Sequence, residues 1–189
     1  MKKLYALIFP FILLSTFTSC KEDRPKVENT EQASGSIKGQ SAILRNEYTH
    51  LFSDPTKADT FRITLAGDSI LTAKALLEIV KYDGSVLYQD TFASNFLIDY
   101  GIAHNPTRQQ QEAYIEERVN TFFKVENFMQ PALPPDRTFD PHYSNKQDWE
   151  DIKSDSSAIG FYYKLGEEDG RYLAFSRSKQ KVVLYFNCC

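Results

Sequence analysis

Ile79-Val80-Lys81-Tyr82-Asp83-Gly84-Ser85-Val86-Leu87-Tyr88 is the stretch whose reading decides the fold. Asp-Gly between two apolar runs is a strong short-range hairpin signal, because both positions of a two-residue turn want positive φ. Pairing across that turn sets Val80 opposite Leu87 and Ile79 opposite Tyr88, so apolar side chains meet on both faces. Just upstream, Ala73-Lys74-Ala75-Leu76-Leu77-Glu78 has helical propensity, so residues 70–80 carry two signals. That run enters the turn without a break, and the reading is a strand at 71–82 facing a strand at 85–92.

Residues 60–66 alternate Phe61, Ile63 and Leu65 with polar neighbours, the signature of a half-buried strand, and Gly67-Asp68 ends it in a turn. Residues 41–52 place Ile43, Leu44, Tyr48, Leu51 and Phe52 at helix-like spacing, so a short docking helix is expected there, with His50 on its surface. Phe96, Leu97, Ile98 and Tyr100 then lead off the sheet. Asn105-Pro106 reads as a helix start, Asn as the cap and Pro in the first turn. Ile115, Val119 and Phe122 form the stripe by which a helix over 106–124 would face the sheet. Pro131, Pro134 and Pro135 impose an extended connector. Ser144-Asn145-Lys146-Gln147 has the pattern of a capping box, opening a short helix through Trp149 and Ile152. An alternating run at 158–165 and two further short strands at 172–176 and 182–187, joined by polar turns, predict an antiparallel meander. The fold class is therefore α+β, with antiparallel strands in two hairpin or meander groups and one main helix packed on a face.

Asp136, Asp140 and His142 fall within seven residues and are the one acid–histidine cluster in the chain. Oxygen and imidazole suit several divalent metals. Asp140-Pro141 is equally a turn former, and the spacing matches no established ligand motif. Trp149, the only tryptophan, is either a core anchor or a ligand platform; with Phe128 and Tyr143 it is the candidate for an aromatic binding groove. The acidic turn at 166–170 lacks the ligand ladder of a calcium loop. No nucleophile elbow, phosphate-cradling loop, dinucleotide fingerprint or zinc-protease helix motif is present, and no cofactor is implied.

At the other end of the chain, Lys2 and Lys3 precede an apolar run from Leu4 to Leu14 and small polar residues from Ser15, the layout of a secretory signal. The run is shorter than the ~20 residues a permanent membrane helix needs. Phe17-Thr18-Ser19-Cys20 resembles a bacterial lipobox, which implies that the Cys20 sulfur takes a diacylglycerol and that Cys20 becomes the mature N-terminus. Lys21-Glu22-Asp23 directly after it is similar to the charged export tag of Bacteroidota surface lipoproteins. The hairpin around Asp83-Gly84, Phe122-Phe123 before Asn127-Phe128, and the ending Leu184-Tyr185-Phe186-Asn187-Cys188-Cys189 look like a small lipoprotein of that group. This resemblance brings no activity and no functional residues with it. It implies an envelope location, at the outer membrane or its surface, with the membrane itself as partner through Cys20.

Three segments follow: a signal at 1–19, a polar tether at 20–40, and a single α+β domain at 41–189. Removing Lys2 and Lys3 from 22 basic residues leaves 20 against 25 acids, a formal charge of −5. With no basic block, a nucleic-acid partner is excluded. Cys188 and Cys189 would be free thiols, a vicinal disulfide, or an intermolecular or soft-metal pair. The reading that results is an envelope lipoprotein binding a protein or small molecule without catalysis. The alternatives are a metal-dependent hydrolase using Asp136, Asp140 and His142, or a structural assembly factor of the outer membrane.

Overall fold

The Asp83-Gly84 hairpin forms, with a longer loop than two residues. In this computed structural model, which describes residue 37 and residues 39–188, Gly84 N–H donates to the Lys81 carbonyl at 2.8 Å and Lys81 N–H to the Ser85 carbonyl at 2.7 Å. Of the turn residues only Gly84 has positive φ, at 88°, so the loop is Tyr82-Asp83-Gly84 closed by a glycine bulge. Ile79 faces Tyr88 as expected, but Val80 faces Val86, and Leu87 is the extra residue. The Asp83 carboxylate secures the loop by accepting from the Ser85 N–H and hydroxyl at 3.0 and 2.6 Å.

The hairpin is half of a four-stranded antiparallel meander of β1 (Ala42–Leu51), β2 (Ala58–Ala66), β3 (Lys74–Val80) and β4 (Val86–Ala93), in that order. The helix expected at 41–52 is strand β1. Leu44, Tyr48 and Phe52 recur every four residues, a spacing that suits a helical face and is also a multiple of the strand period. Pairing decides between the two: β2 offers a full row of backbone partners, and β1 takes them from Ala42↔Ala66 to Leu51↔Ala58. On the solvent side of this sheet Arg62 reaches Glu47 and Glu78, and Gln89 donates to Glu78 at 2.8 Å.

The chain leaves the meander through a 3₁₀ turn at Ser94–Leu97 and enters α1 (Arg108–Asn120). Its cap is Thr107, two residues later than the expected Asn105, which takes φ 52° instead. The Thr107 hydroxyl accepts the Gln110 N–H at 3.3 Å and the Gln110 side chain accepts the Thr107 N–H at 2.8 Å, a reciprocal capping box. Ile115 and Val119 are buried as the stripe requires.

The second sheet takes β5 (Phe128–Met129), β6 (Gly160–Leu165), β7 (Asp169–Ser176) and β8 (Lys181–Cys188), again in chain order and antiparallel. Between β5 and β6 lie the proline segment and α2 (Lys146–Ser154), whose cap is Asn145, accepting from the N–H groups of Gln147 and Asp148. Ser144, the expected cap, leaves its buried hydroxyl without a partner.

Alternation along β7 explains the layering. Leu173 and Phe175 enter a core shared with Phe61, Ile63, Leu77, Phe161 and Tyr163, so one face of each sheet packs against the other, with α1 closing the side. Ala174 points the opposite way, into a second core with Ala132, Leu133, Trp149, Ile152, Tyr185 and Phe186. A bulge in β8, where Tyr185 is the extra residue, puts Tyr185 and Phe186 together in that second core. The fold is α+β as expected, but two helices do separate work: α1 lines the inter-sheet core and α2 covers the outer face of the second sheet. The signal segment, Cys20, most of the tether and Cys189 lie outside the described residues.

Candidate functional site

The sequence grouped Trp149, Phe128 and Tyr143 as one groove; the structure separates them. Phe128 sits in the inter-sheet core, 5.0 Å from both Phe61 and Phe161, and stacks on His50 at 4.2 Å with the rings nearly parallel. Trp149 and Tyr143 lie on the other side of the second sheet, where both contact Phe186, at 6.0 and 5.8 Å. Tyr143 is exposed, and its carbonyl accepts the Asn187 N–H at 2.8 Å, covering part of the β8 edge. Trp149 is 3 % exposed, so the core reading holds for most of its ring.

Trp149 nevertheless floors an open cleft of about 420 Å³. Spacing on α2 builds one wall: Lys146, Trp149, Glu150 and Lys153 recur at three and four residues, so they share a side of the helix. The proline segment builds the other with Arg137 and Phe139, and the Phe139 ring meets Trp149 edge-on at 6.0 Å. This wall is held in place. The Lys153 ammonium donates to the carbonyls of Pro134 (3.4 Å), Pro135 (2.9 Å) and Arg137. Ala132 is pinned from both sides, its N–H on the Ala158 carbonyl and its own carbonyl on the Tyr185 hydroxyl, each at 2.8 Å. A volume in this range suits a small organic ligand.

Another concavity, about 190 Å³, lies between Arg118, Lys124 and Tyr162. Its guanidinium is spent internally. Arg118 donates to the carbonyls of Leu97 and Lys164 at 3.3 Å and sits 3.7 Å from Asp99. Burial works against the Asp99 charge, but the Tyr114 hydroxyl at 2.5 Å, the Gly101 N–H and Arg118 together hold its carboxyl below the ordinary range. Burial, together with the same contact, pushes the Tyr114 hydroxyl up to about 12. This corner braces α1 against the turn that leaves the first sheet.

Asp136, Asp140 and His142 do not assemble. Among the described residues no group of three or more His, Cys, Asp or Glu side chains could hold a metal ion. The Asp140 carboxylate accepts the His142 N–H at 2.9 Å, which is the turn that Asp-Pro foretold. Cys188 is disulfide-bonded, which removes the free-thiol reading for it. The other two cysteines, Cys20 and Cys189, both lie outside the described residues.

One buried cluster was missed in the sequence. The Arg171 guanidinium meets Asp90 at 2.6 Å and Asp169 at 2.8 Å, the Tyr163 hydroxyl donates to Asp90 at 2.8 Å, and Tyr88 and Tyr163 share a hydrogen bond at 3.0 Å. Burial and the neighbouring Tyr88 and Asp90 push the Tyr163 hydroxyl far up. The signal was present, since Asp90 alternates with Tyr88 and Phe92 on the inward face of β4. Asp90 and Arg171 line neither concavity, so their chemistry joins the two sheets.

No family model matches this chain, and no curated protein or solved structure does either. The fold and cleft by themselves define a two-meander α+β protein with an aromatic-floored, cation-rimmed cleft between α2 and the proline segment.

Proposed function

We propose that this protein is a lipid-anchored envelope lipoprotein, held at the outer membrane through Cys20, that binds a small apolar-bodied ligand in the Arg137–Trp149 cleft without transforming it. One observation carries the binding reading: a cleft of about 420 Å³ whose floor is the packed Trp149 ring and whose proline wall is fixed by hydrogen bonds made within the protein. Preformed walls lower the ordering cost of binding. A hydrolase working through Asp136, Asp140 and His142 has no assembled ligand set among the described residues. The anchor reading is supported by the signal-like layout of residues 1–19, the lipobox-like Phe17-Thr18-Ser19-Cys20 and the charged Lys21-Glu22-Asp23 after it.

Two measurements test this reading. Calorimetric titration with the neutral probe 2-naphthamide should show saturable binding that Phe139→Ala weakens roughly tenfold, about the contact of one partly buried phenyl face. Unchanged affinity would remove the cleft from the reading. Separately, Cys20→Ala should abolish metabolic labelling by a palmitate analogue and move the protein out of the membrane pellet, because stable anchoring takes two or more acyl chains. Labelling that persists in the variant would refute the anchor.

A further inference from the structure

The geometry points to a carboxylate on an apolar body as the ligand class of this cleft, with the Arg137 guanidinium as its anchor; this rests on the cleft being the binding site proposed above. Three cations, Arg137, Lys146 and Lys153, stand around it against one acid, Glu150. They are not equivalent. Lys153 has committed its ammonium to three backbone carbonyls, so it adds positive potential but no hydrogen for a ligand. Lys146 lies 3.8 Å from Glu150, one helical turn on, and the two exposed charges offset each other.

Arg137 differs from both. Its guanidinium carbon lies 4.4 Å from the centre of the Phe186 ring, and among the described residues no carboxylate pairs with it. A guanidinium held over a ring by its charge keeps N–H donors for a planar acceptor, and a carboxylate matches the guanidinium fork with two parallel bonds. The cation–π contact also orders the side chain before a ligand arrives. Phe139 and Trp149 beside it lower the local dielectric, which strengthens a charge-assisted bond there. Glu150 selects against ligands with several negative charges, and the excess of cations selects against ligand amines. What fits is one carboxylate at the Arg137 end and a two-ring or medium-chain body over Phe139 and Trp149.

The test extends the same titration to the full chain in nonionic detergent, blanked against empty micelles, with 2-naphthoate compared to its neutral isostere 2-naphthamide. The expected result is that 2-naphthoate binds at least about tenfold tighter, the contribution of a charge-assisted hydrogen bond. Arg137→Gln should erase that margin while changing 2-naphthamide affinity less than about twofold, and Lys146→Gln should cost about threefold or less. Arg137 is exposed, so its replacement leaves the core intact, and unchanged Trp149 emission in the free variant verifies this. Equal affinity for the two probes, or a Lys146→Gln loss as large as that of Arg137→Gln, overturns the carboxylate assignment; sensitivity of both probes to Phe139→Ala then leaves the cleft standing. Failure of both probes to bind overturns the cleft and the assignment together.

Discussion

Phe61→Ala should lower the unfolding free energy by about 3–5 kcal/mol, the range for deleting a phenyl ring from a filled core. Phe61 is wholly buried at the centre of β2 and touches four other rings: Phe52 at 5.1 Å, Phe123 at 6.1 Å, and Phe128 and Phe161 at 5.0 Å each. All four contacts are edge-on, the arrangement that satisfies the ring quadrupole and adds to area burial. These neighbours come from four different places: the residue just beyond β1, the segment after α1, β5 and β6. A hole there therefore loosens both sheets together, and rigid strands on each side limit how far it can collapse. Domain stabilities are typically about 5–15 kcal/mol, so the variant would sit close to unfolding. Urea denaturation provides the check, with the midpoint falling and the slope unchanged. Trp149 reports from the second core while circular dichroism reports from both sheets, so coincident transitions would show that the two cores melt as one. A loss below about 1 kcal/mol would mean that the sheets are not held together through this ring.

The hairpin was legible because its information is local: Asp83-Gly84 and its flanking apolar residues carry the turn within ten positions. The alternating runs of β2 and β6 were legible for the same reason, and so was the Ile115–Val119 stripe. What failed was whatever depended on a distant partner or on close competitors. β1 reads as helix until β2 is there to pair with it, because Leu44, Tyr48 and Phe52 satisfy both periods. Each helix begins one or two residues later than expected, since Asn105 and Thr107, and likewise Ser144 and Asn145, are competing caps and the packing of the following turn chooses between them. Phe128, Tyr143 and Trp149 are close in sequence, yet the chain passes to the other side of the second sheet between the first and the other two. The cleft was hidden for a related reason. Arg137 and Phe139 become interesting only when α2 folds back against the proline segment, whereas the acids and histidine around them drew notice by residue type alone.

Asp90→Ala should cost about 3 kcal/mol, and Arg171→Met a similar amount, although the two positions are 81 residues apart. Asp90 is 6 % exposed on an inward position of β4, and its carboxylate takes both the Arg171 guanidinium and the Tyr163 hydroxyl. The pair joins β4 of the first sheet to β7 of the second, and Tyr163 brings in β6. Burying an ion pair does not by itself favour folding, because desolvation offsets most of the attraction, but removing one partner leaves the other buried and under-compensated. Asp169 softens the loss at Asp90 without cancelling it, since it stays bonded to Arg171 from the more exposed side. The distinguishing measurement is therefore the double variant. Asp90→Ala with Arg171→Met removes both charges, and its cost should fall short of the summed single losses by at least about 1 kcal/mol. Such a shortfall would make the pair a specific tie between the sheets, whose single variants suffer chiefly from the stranded partner. Full additivity would mean that Asp90 and Arg171 each stabilise the fold through other neighbours, and the two sheets would then be held together by the aromatic core alone.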